Sequence, residues 1–210
     1  RRHAAQDLSR MSQPRIPFRP LRQAAPGGRD PEVVATVAQM PGFLSPEECG
    51  ALTAMAQARP GFAGTLDAAG QRDEPIRRST VRFLYPGDDT EWLFARLDAV
   101  VARLNASYGF ALEGFAEGVQ VASYAGGGHY DWHIDLGPGP FARRKLSLSV
   151  QLSPEADYEG GELEFLVSRD RAQRAQGTLI AFPSFLAHRV RPVSRGTRLA
   201  SGNLDVSRTN

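Results

Sequence analysis

Hydrophobic and polar positions divide the chain into two textures. Between residues 41 and 108 the apolar positions recur at helical spacing, and from Gly118 onward they alternate in short runs broken by glycine. Leu44-Ser45-Pro46-Glu47-Glu48 reads as a helix start, because Ser45 offers an N-cap oxygen, Pro46 suits the first helical position and Glu48 completes a capping box. Leu52, Met55 and Ala56 form the apolar stripe of that helix, and Pro60-Gly61 ends it. Ser79 to Tyr85 reads as a strand closed by Pro86-Gly87. Asp88 or Asp89 then caps a second helix, with Trp92, Leu93, Leu97, Val100, Val101 and Leu104 on one face. The Gly-rich polar stretch 62–77 reads as a surface loop, either a substrate lid or a plain connector.

Further strands are predicted near 118–124, 129–135, 145–152, 162–167, 177–182, 187–193 and 197–205. Helices first and a mostly antiparallel core afterwards predict a mainly β protein, a sandwich or barrel with helices packed against it. Along 145–152 the alternation puts Leu146, Leu148, Val150 and Leu152 on one face and Ser147, Ser149 and Gln151 on the other.

The 210 residues are 41% hydrophobic and 23% charged, enough for one ordinary domain with a real core. No apolar run reaches the roughly 18 residues of a membrane span, and the N-terminus lacks the apolar stretch of a secretory signal. Cys49 is the single cysteine, so neither an internal disulfide nor a multi-cysteine zinc site is open to this chain. A cytoplasmic setting is expected. The net charge of +2 is unevenly placed: seven arginines against two aspartates in residues 1–30 leave the remainder at −3. Residues 1–31 thus read as a flexible Arg/Pro-rich leader and 32–210 as one domain, with helical support over 41–108 and a β core over 118–206. The leader lacks interleaved aromatics, which argues against nucleic-acid binding.

Histidine is scarce: outside the leader only His129, His133 and His188 occur. Two of them stand in overlapping His-x-Asp units, His129-Tyr130-Asp131 and His133-Ile134-Asp135. Twelve aspartates in 210 residues would produce about 0.2 such units by chance. Regular alternation puts His129, Asp131, His133 and Asp135 on one strand face, which is costly in a core unless something binds them. His188 lies on a later strand. Two histidines and one carboxylate on one face of a metal form the triad of non-haem Fe(II) oxygenases, whose open positions take other ligands. Arg198 stands ten residues beyond His188, an even spacing that on one continuous strand faces both side chains the same way.

On these residues the chain resembles the Fe(II)- and 2-oxoglutarate-dependent dioxygenases, in the prolyl 4-hydroxylase-like branch, over about residues 41–200. The branch's Tyr-x-x-Gly-x-x-Tyr-x-x-His-x-Asp pattern falls on Tyr124, Gly127, Tyr130, His133 and Asp135. Arg144 to Leu152, Tyr158-Glu159-Gly160-Gly161-Glu162-Leu163, Phe182-Pro183-Ser184, His188 to Val193 and Gly196-Thr197-Arg198 also resemble it. The resemblance implies a double-stranded β-helix (jelly-roll, cupin-like) core with N-terminal helices on one face. It implies Fe(II) on His133, Asp135 and His188, and the 2-oxoglutarate C5 carboxylate on Arg198. Tyr124 would hydrogen-bond the cosubstrate, and Ser147 and Gln151 would face its pocket. His129, Asp131 and Tyr130 are left to supporting or substrate-side roles. Dioxygen, with ascorbate as reductant, completes the cofactors, and the reaction is hydroxylation of an unactivated C–H with release of succinate and carbon dioxide. The implied substrate is a prolyl or other peptidyl residue of a peptide or protein, or a free amino acid; nothing in the residues speaks to oligomeric state. Where this branch commonly carries a bulky aromatic six residues beyond the basic residue, this chain has Leu204, which reshapes the pocket wall near the substrate. Two other readings share the ligands: a cupin-like metal-binding or sensor module without turnover, and a zinc hydrolase, which leaves Arg198 unexplained.

Overall fold

The computed structural model describes residues 37–66, 73–87, 89–115, 118–168 and 171–207; the leader 1–31, Asp88 and residues 67–72 of the 62–77 loop lie outside these. Helix α1 (Pro46–Gln57) starts as its sequence dictates. Ser45 Oγ accepts from the Glu48 N–H at 3.2 Å while Glu48 accepts from the Ser45 N–H at 2.9 Å. The same Glu48 carboxylate receives both Nη groups of Arg96 at 2.7 Å, a bidentate pair that ties α1 to helix α2 (Glu91–Tyr108). The cap of α2 differs from expectation. Thr90, not Asp88 or Asp89, is the N-cap residue, and its hydroxyl donates back to the Tyr85 carbonyl at 2.7 Å, closing the Pro86-Gly87 turn.

The strands in chain order are β1 (Ala38–Met40), β2 (Phe62–Ala63), β3 (Arg77–Arg78), β4 (Thr80–Leu84), β5 (Gly114–Phe115), β6 (Val119–Ala125), β7 (His129–His133), β8 (Arg144–Gln151), β9 (Tyr158–Gly160), β10 (Leu163–Phe165), β11 (Leu179–Pro183), β12 (His188–Val190) and β13 (Val193–Ser207). They pair antiparallel in two sheets. The larger runs β1-β11-β8-β13-β6-β4-β2, with β5 and β9 also on β13, and the smaller runs β10-β12-β7-β3. The described residues form a jelly roll with α1 and α2 outside the larger sheet. The stretch read as a loop, 62–77, contributes β2 to one sheet and the start of β3 to the other, because a two-residue strand carries no periodicity to detect.

Alternation in the central strands sorts the interior into two layers. Leu146, Leu148 and Val150 of β8 and Val119 and Val121 of β6 face the helices, where they meet Leu52, Leu93, Leu97 and Val101. Each such side chain contributes about 1.5–3 kcal/mol on burial. Cys49 sits in this layer with its thiol donating to the Gln151 carbonyl at 3.8 Å, and burial pushes it up to about 11, out of reach of thiolate chemistry. The opposite faces point between the sheets, where Ala122, Tyr124, Ile180 and Phe182 meet Tyr130, Leu163, Phe165 and Val190.

Gly177 shows how tightly helix and sheet are joined. It has φ +78°, its N–H donates to Gln151 and its carbonyl accepts from Leu44, and a Cβ there would run into the Leu44 carbonyl. Gly177→Ala is therefore expected to cost about 2 kcal/mol or more in urea unfolding. Gly42→Ala, also at positive φ but facing open space, should cost about 1 kcal/mol. Equal losses would show that the contact with Leu44 carries nothing.

Candidate metal centre and its cavity

β12 and β7 are paired out of step. His188 lies opposite His133 and Val190 opposite Tyr130, so β7 takes three steps where β12 takes two. This is a β-bulge, which re-aims the side chains that follow it. Tyr130 and His133 consequently both point inward and stack, centroids 3.4 Å apart and planes at 11°, while Asp131 and Trp132 are exposed. The regular alternation expected for His129 to Asp135 does not occur, and the four polar side chains do not share a face.

Past the bulge the chain turns in again at Asp135, which is 3% exposed. Its N–H donates to the Ser184 carbonyl at 2.9 Å and its own carbonyl accepts from Arg144 Nη1 at 3.0 Å. The Ser147 hydroxyl bonds its carboxylate and lies 2.9 Å from the Ser184 hydroxyl. One ring nitrogen of each histidine is likewise occupied. Nδ1 of His133 donates to the Asp131 carbonyl at 2.7 Å and Nδ1 of His188 to the Leu186 carbonyl at 2.9 Å. That leaves the two Nε2 lone pairs facing Asp135, one 3.7 Å from Oδ1 and the other 3.7 Å from Oδ2. The three donor atoms lie within 4.8 Å of one another, and no fourth His, Cys, Asp or Glu joins them among the described residues.

Electrostatics suit these groups to a cation. Burial, and then the neighbouring His188, push the His133 imidazole down to about 3, so it is neutral and its lone pair free. Burial works against ionisation of Asp135, yet the two imidazoles, Ser147 and Arg144 outweigh it and hold the carboxyl below its ordinary range. Two imidazoles and one carboxylate fit a single first-row divalent metal with coordination positions to spare.

The histidines open onto a cavity of about 440 Å³, its mouth included, between the two sheets. Arg198 enters it from β13 in the larger sheet and His188 from β12 in the smaller. They are not on one continuous strand, and their even spacing is incidental. Arg198 is 2% exposed, donates through Nη2 to Gln151 Oε1 at 3.0 Å, lies over the Tyr124 ring at 5.6 Å, and has no hydrogen-bond partner at Nε among the described residues. Gly161, at φ +67°, lies where a Cβ would press on Arg198 Cδ at 2.9 Å.

The remaining expected residues are spread around this centre. Tyr124 lines the cavity, as does Ser149, whereas Ser147 stands behind Asp135 and Gln151 behind Arg198. His129 bridges the Gly127 and Pro75 carbonyls at 2.9 and 3.0 Å, away from the ligands, and Asp131 folds back on the Trp132 N–H at 2.8 Å. For Leu204 only the backbone is described, paired with Leu148. Arg77 and Gln120 also line the cavity and were not among the expected residues. Arg77 sits in a polar, Gly-rich stretch with no pattern of its own, and only the pairing of β3 with β7 brings it in.

Comparison with known proteins agrees with this geometry. Residues 119–203 match the family model of the 2OG-Fe(II) oxygenase superfamily. A PKHD-type hydroxylase of Paraburkholderia phymatum is 30% identical over 176 residues, 79% of this chain and 76% of that protein. One from Idiomarina loihiensis is 39% identical over 84 residues, 39% of this chain and 38% of that protein. Among solved structures, a Pseudomonas putida prolyl-4-hydroxylase superposes with TM-score 0.69 at 23% identity, covering 83% of this chain and 94% of that one. A Trichoplax adhaerens prolyl hydroxylase, in complex with a hypoxia inducible factor oxygen degradation domain peptide fragment, superposes at 0.67 with 21% identity, covering 81% and 83%. At those identities the structures speak to the fold.

The depressed His133 value has a consequence for stability. Because its folded value lies below the ordinary 6.5, the unfolded chain takes up the proton first as pH falls, so stability present above 6.5 is lost progressively toward about 3. Asp135, also held below its ordinary value, acts in the same direction at lower pH. Metal-free protein should thus be about 2 kcal/mol less stable at about pH 5 than at about pH 7 in urea titrations. His133→Asn should flatten that slope; an unchanged slope would count against a buried neutral His133.

Proposed function

The chain belongs to the 2OG-Fe(II) oxygenase superfamily, and on that premise we propose that His133, Asp135 and His188 hold its Fe(II) while Arg198 anchors the C5 carboxylate of 2-oxoglutarate. The observation that carries this assignment is the convergence of three donor atoms within 4.8 Å on a cavity shared with a buried arginine. Iron held there would supply, with 2-oxoglutarate and dioxygen, the chemistry for hydroxylating an unactivated C–H bond while the cosubstrate is split to succinate and carbon dioxide.

The protein's own part is position, charge and dryness. The backbone carbonyls of Asp131 and Leu186 hold both imidazoles in the Nδ1–H tautomer with Nε2 toward the metal. Ser147 and Arg144 hold Asp135 ionised and aimed. Gln151 fixes one edge of the Arg198 guanidinium, leaving the rest for a planar carboxylate, which a guanidinium binds by paired hydrogen bonds. The Tyr124 hydroxyl, on the wall below Arg198, bonds the same cosubstrate. Phe182, Leu163 and Val190 exclude water around it. Residues 32–210 form the catalytic domain in this reading. No helix among the described residues is long and apolar enough to cross a membrane, and the cell compartment we assign is the cytoplasm. The substrate class is a peptidyl residue or amino acid; the Trichoplax relative was solved with a peptide in place.

A sensor module with the same ligands would bind metal without turnover. The enzyme should instead form a coloured anaerobic complex with Fe(II) and 2-oxoglutarate and release succinate in air. Arg198→Ala should raise the 2-oxoglutarate concentration needed for that colour by about 100-fold, as expected when one partner of a buried ionic pair is lost, and leave metal affinity within about threefold. Ser147→Ala should do the reverse, weakening metal binding about tenfold with little effect on the cosubstrate. If both variants lose both ligands equally, these roles are wrong.

A further inference from the structure

The cavity floor has two ends. Tyr124, Ala122 and Gln120 face inward along β6, and Arg198, Ala200 and Gly202 lie opposite them on β13. Arg198 and Tyr124 occupy one end. Four residues along the strand, about 13 Å away at ~3.3 Å per residue, Gln120 and Gly202 occupy the other, and Arg77 leans in over them from β3. Between the two ends β6 and β13 carry Ala122 and Ala200, and at the far end even a Cβ on Gly202 would meet nothing nearer than 3.7 Å.

Arg77 is a second guanidinium in this cavity, 8% exposed, and its partners are neutral. Nε donates to Ser79 Oγ at 3.0 Å, Nη1 to the Thr65 carbonyl at 2.7 Å and Nη2 to Gln120 Oε1 at 2.7 Å. No carboxylate forms an ion pair with it among the described residues. These bonds use three of its five N–H groups, and by accepting from Arg77 at Oε1, Gln120 turns its own amide NH₂ into a further donor at the same end. The guanidinium also lies over the Tyr130 ring at 4.5 Å, and that ring is stacked on His133. A buried cation without an anion is costly, and Arg198, the other one in this cavity, is in the same state and is assigned an anionic ligand.

We infer that Arg77, with Gln120, is an anchor for a carboxylate of the substrate, set one aromatic ring away from His133. The substrate class is thereby narrowed to molecules with a carboxylate near the oxidised carbon, whether a free amino acid, the last residue of a peptide or an acidic side chain. This rests on the assignment of the metal and of Arg198 above. It accounts for the small residues of the floor, Ala122 and Ala200, which keep the span between the two guanidinium groups free of bulky side chains.

The test is calorimetric titration of the full chain, loaded without oxygen with Fe(II) and 2-oxoglutarate, using matched acids and amides. The probes are the free amino acids against their carboxamides, a proline-ending peptide against its C-terminal amide, and an acetylated, amidated peptide containing Asp against its Asn counterpart. At least one acid should bind about 100-fold more tightly than its amide, and the pair that does so identifies the source of the carboxylate. Arg77→Gln should erase that difference, and Arg77→Lys, which keeps the charge, should restore part of it. The wild-type comparison decides the matter even where a variant does not fold. Acids and amides binding alike, or no acid binding to a protein that forms the coloured complex, overturns the anchor and leaves the metal assignment standing. Failure to form that complex overturns the metal assignment and this inference with it.

Discussion

The bulge in β7 is the constraint on which the site depends. One extra residue between Tyr130 and His133 turns a strand that would alternate polar and apolar side chains into one that sends a phenol ring and an imidazole to the same side. It also frees the Asp131 carbonyl to orient the His133 ring and lets the Asp131 N–H reach Ile76 on the neighbouring segment. Without it, His133 and Tyr130 would face opposite ways, and His188, Arg77 and Asp135 would have no common point to converge on.

Each charged or metal-facing side chain of this cavity is held in place by at least one neighbour. Asp135 is framed by Ser184, Arg144 and Ser147, the imidazoles by backbone carbonyls, Arg198 by Gln151 and Arg77 by Ser79, Thr65 and Gln120. Such framing is what a charged cavity between two sheets demands, since each unframed group would cost desolvation with no return. The helices stay out of this business. They pack on the far face of the larger sheet, against Val119 and Val121 of β6 and Leu146, Leu148 and Val150 of β8, so stability and chemistry are carried by opposite faces of the same strands.

A division of labour follows along β13. Its first half supplies Arg198 opposite Tyr124, and its continuation past Ser201 shifts register against β8, with Gly202 opposite Gln120. The two ends of one strand pair thus carry Arg198 with Tyr124 at one end and Gln120 at the other, while His133 and His188 enter the same cavity from the smaller sheet.

The local features of this protein were legible in its residues. The capping box at Ser45, the apolar face of the second helix and the alternation along β8 are set by neighbours a few positions apart, and all are as the sequence predicts, save that Thr90 replaces an aspartate as a cap. What lay beyond it required partners far along the chain. Whether His129 or His133 faces inward on its strand depends on a register slip against β12, which no period in residues 129–135 reveals. Arg77 became a cavity residue only because a two-residue strand pairs with β7, and Arg198 and His188 line one cavity from two sheets although their spacing suggested one strand. Local propensity and pattern are short-range properties written residue by residue, whereas pairing register and the approach of two sheets are decided by the packing of the whole.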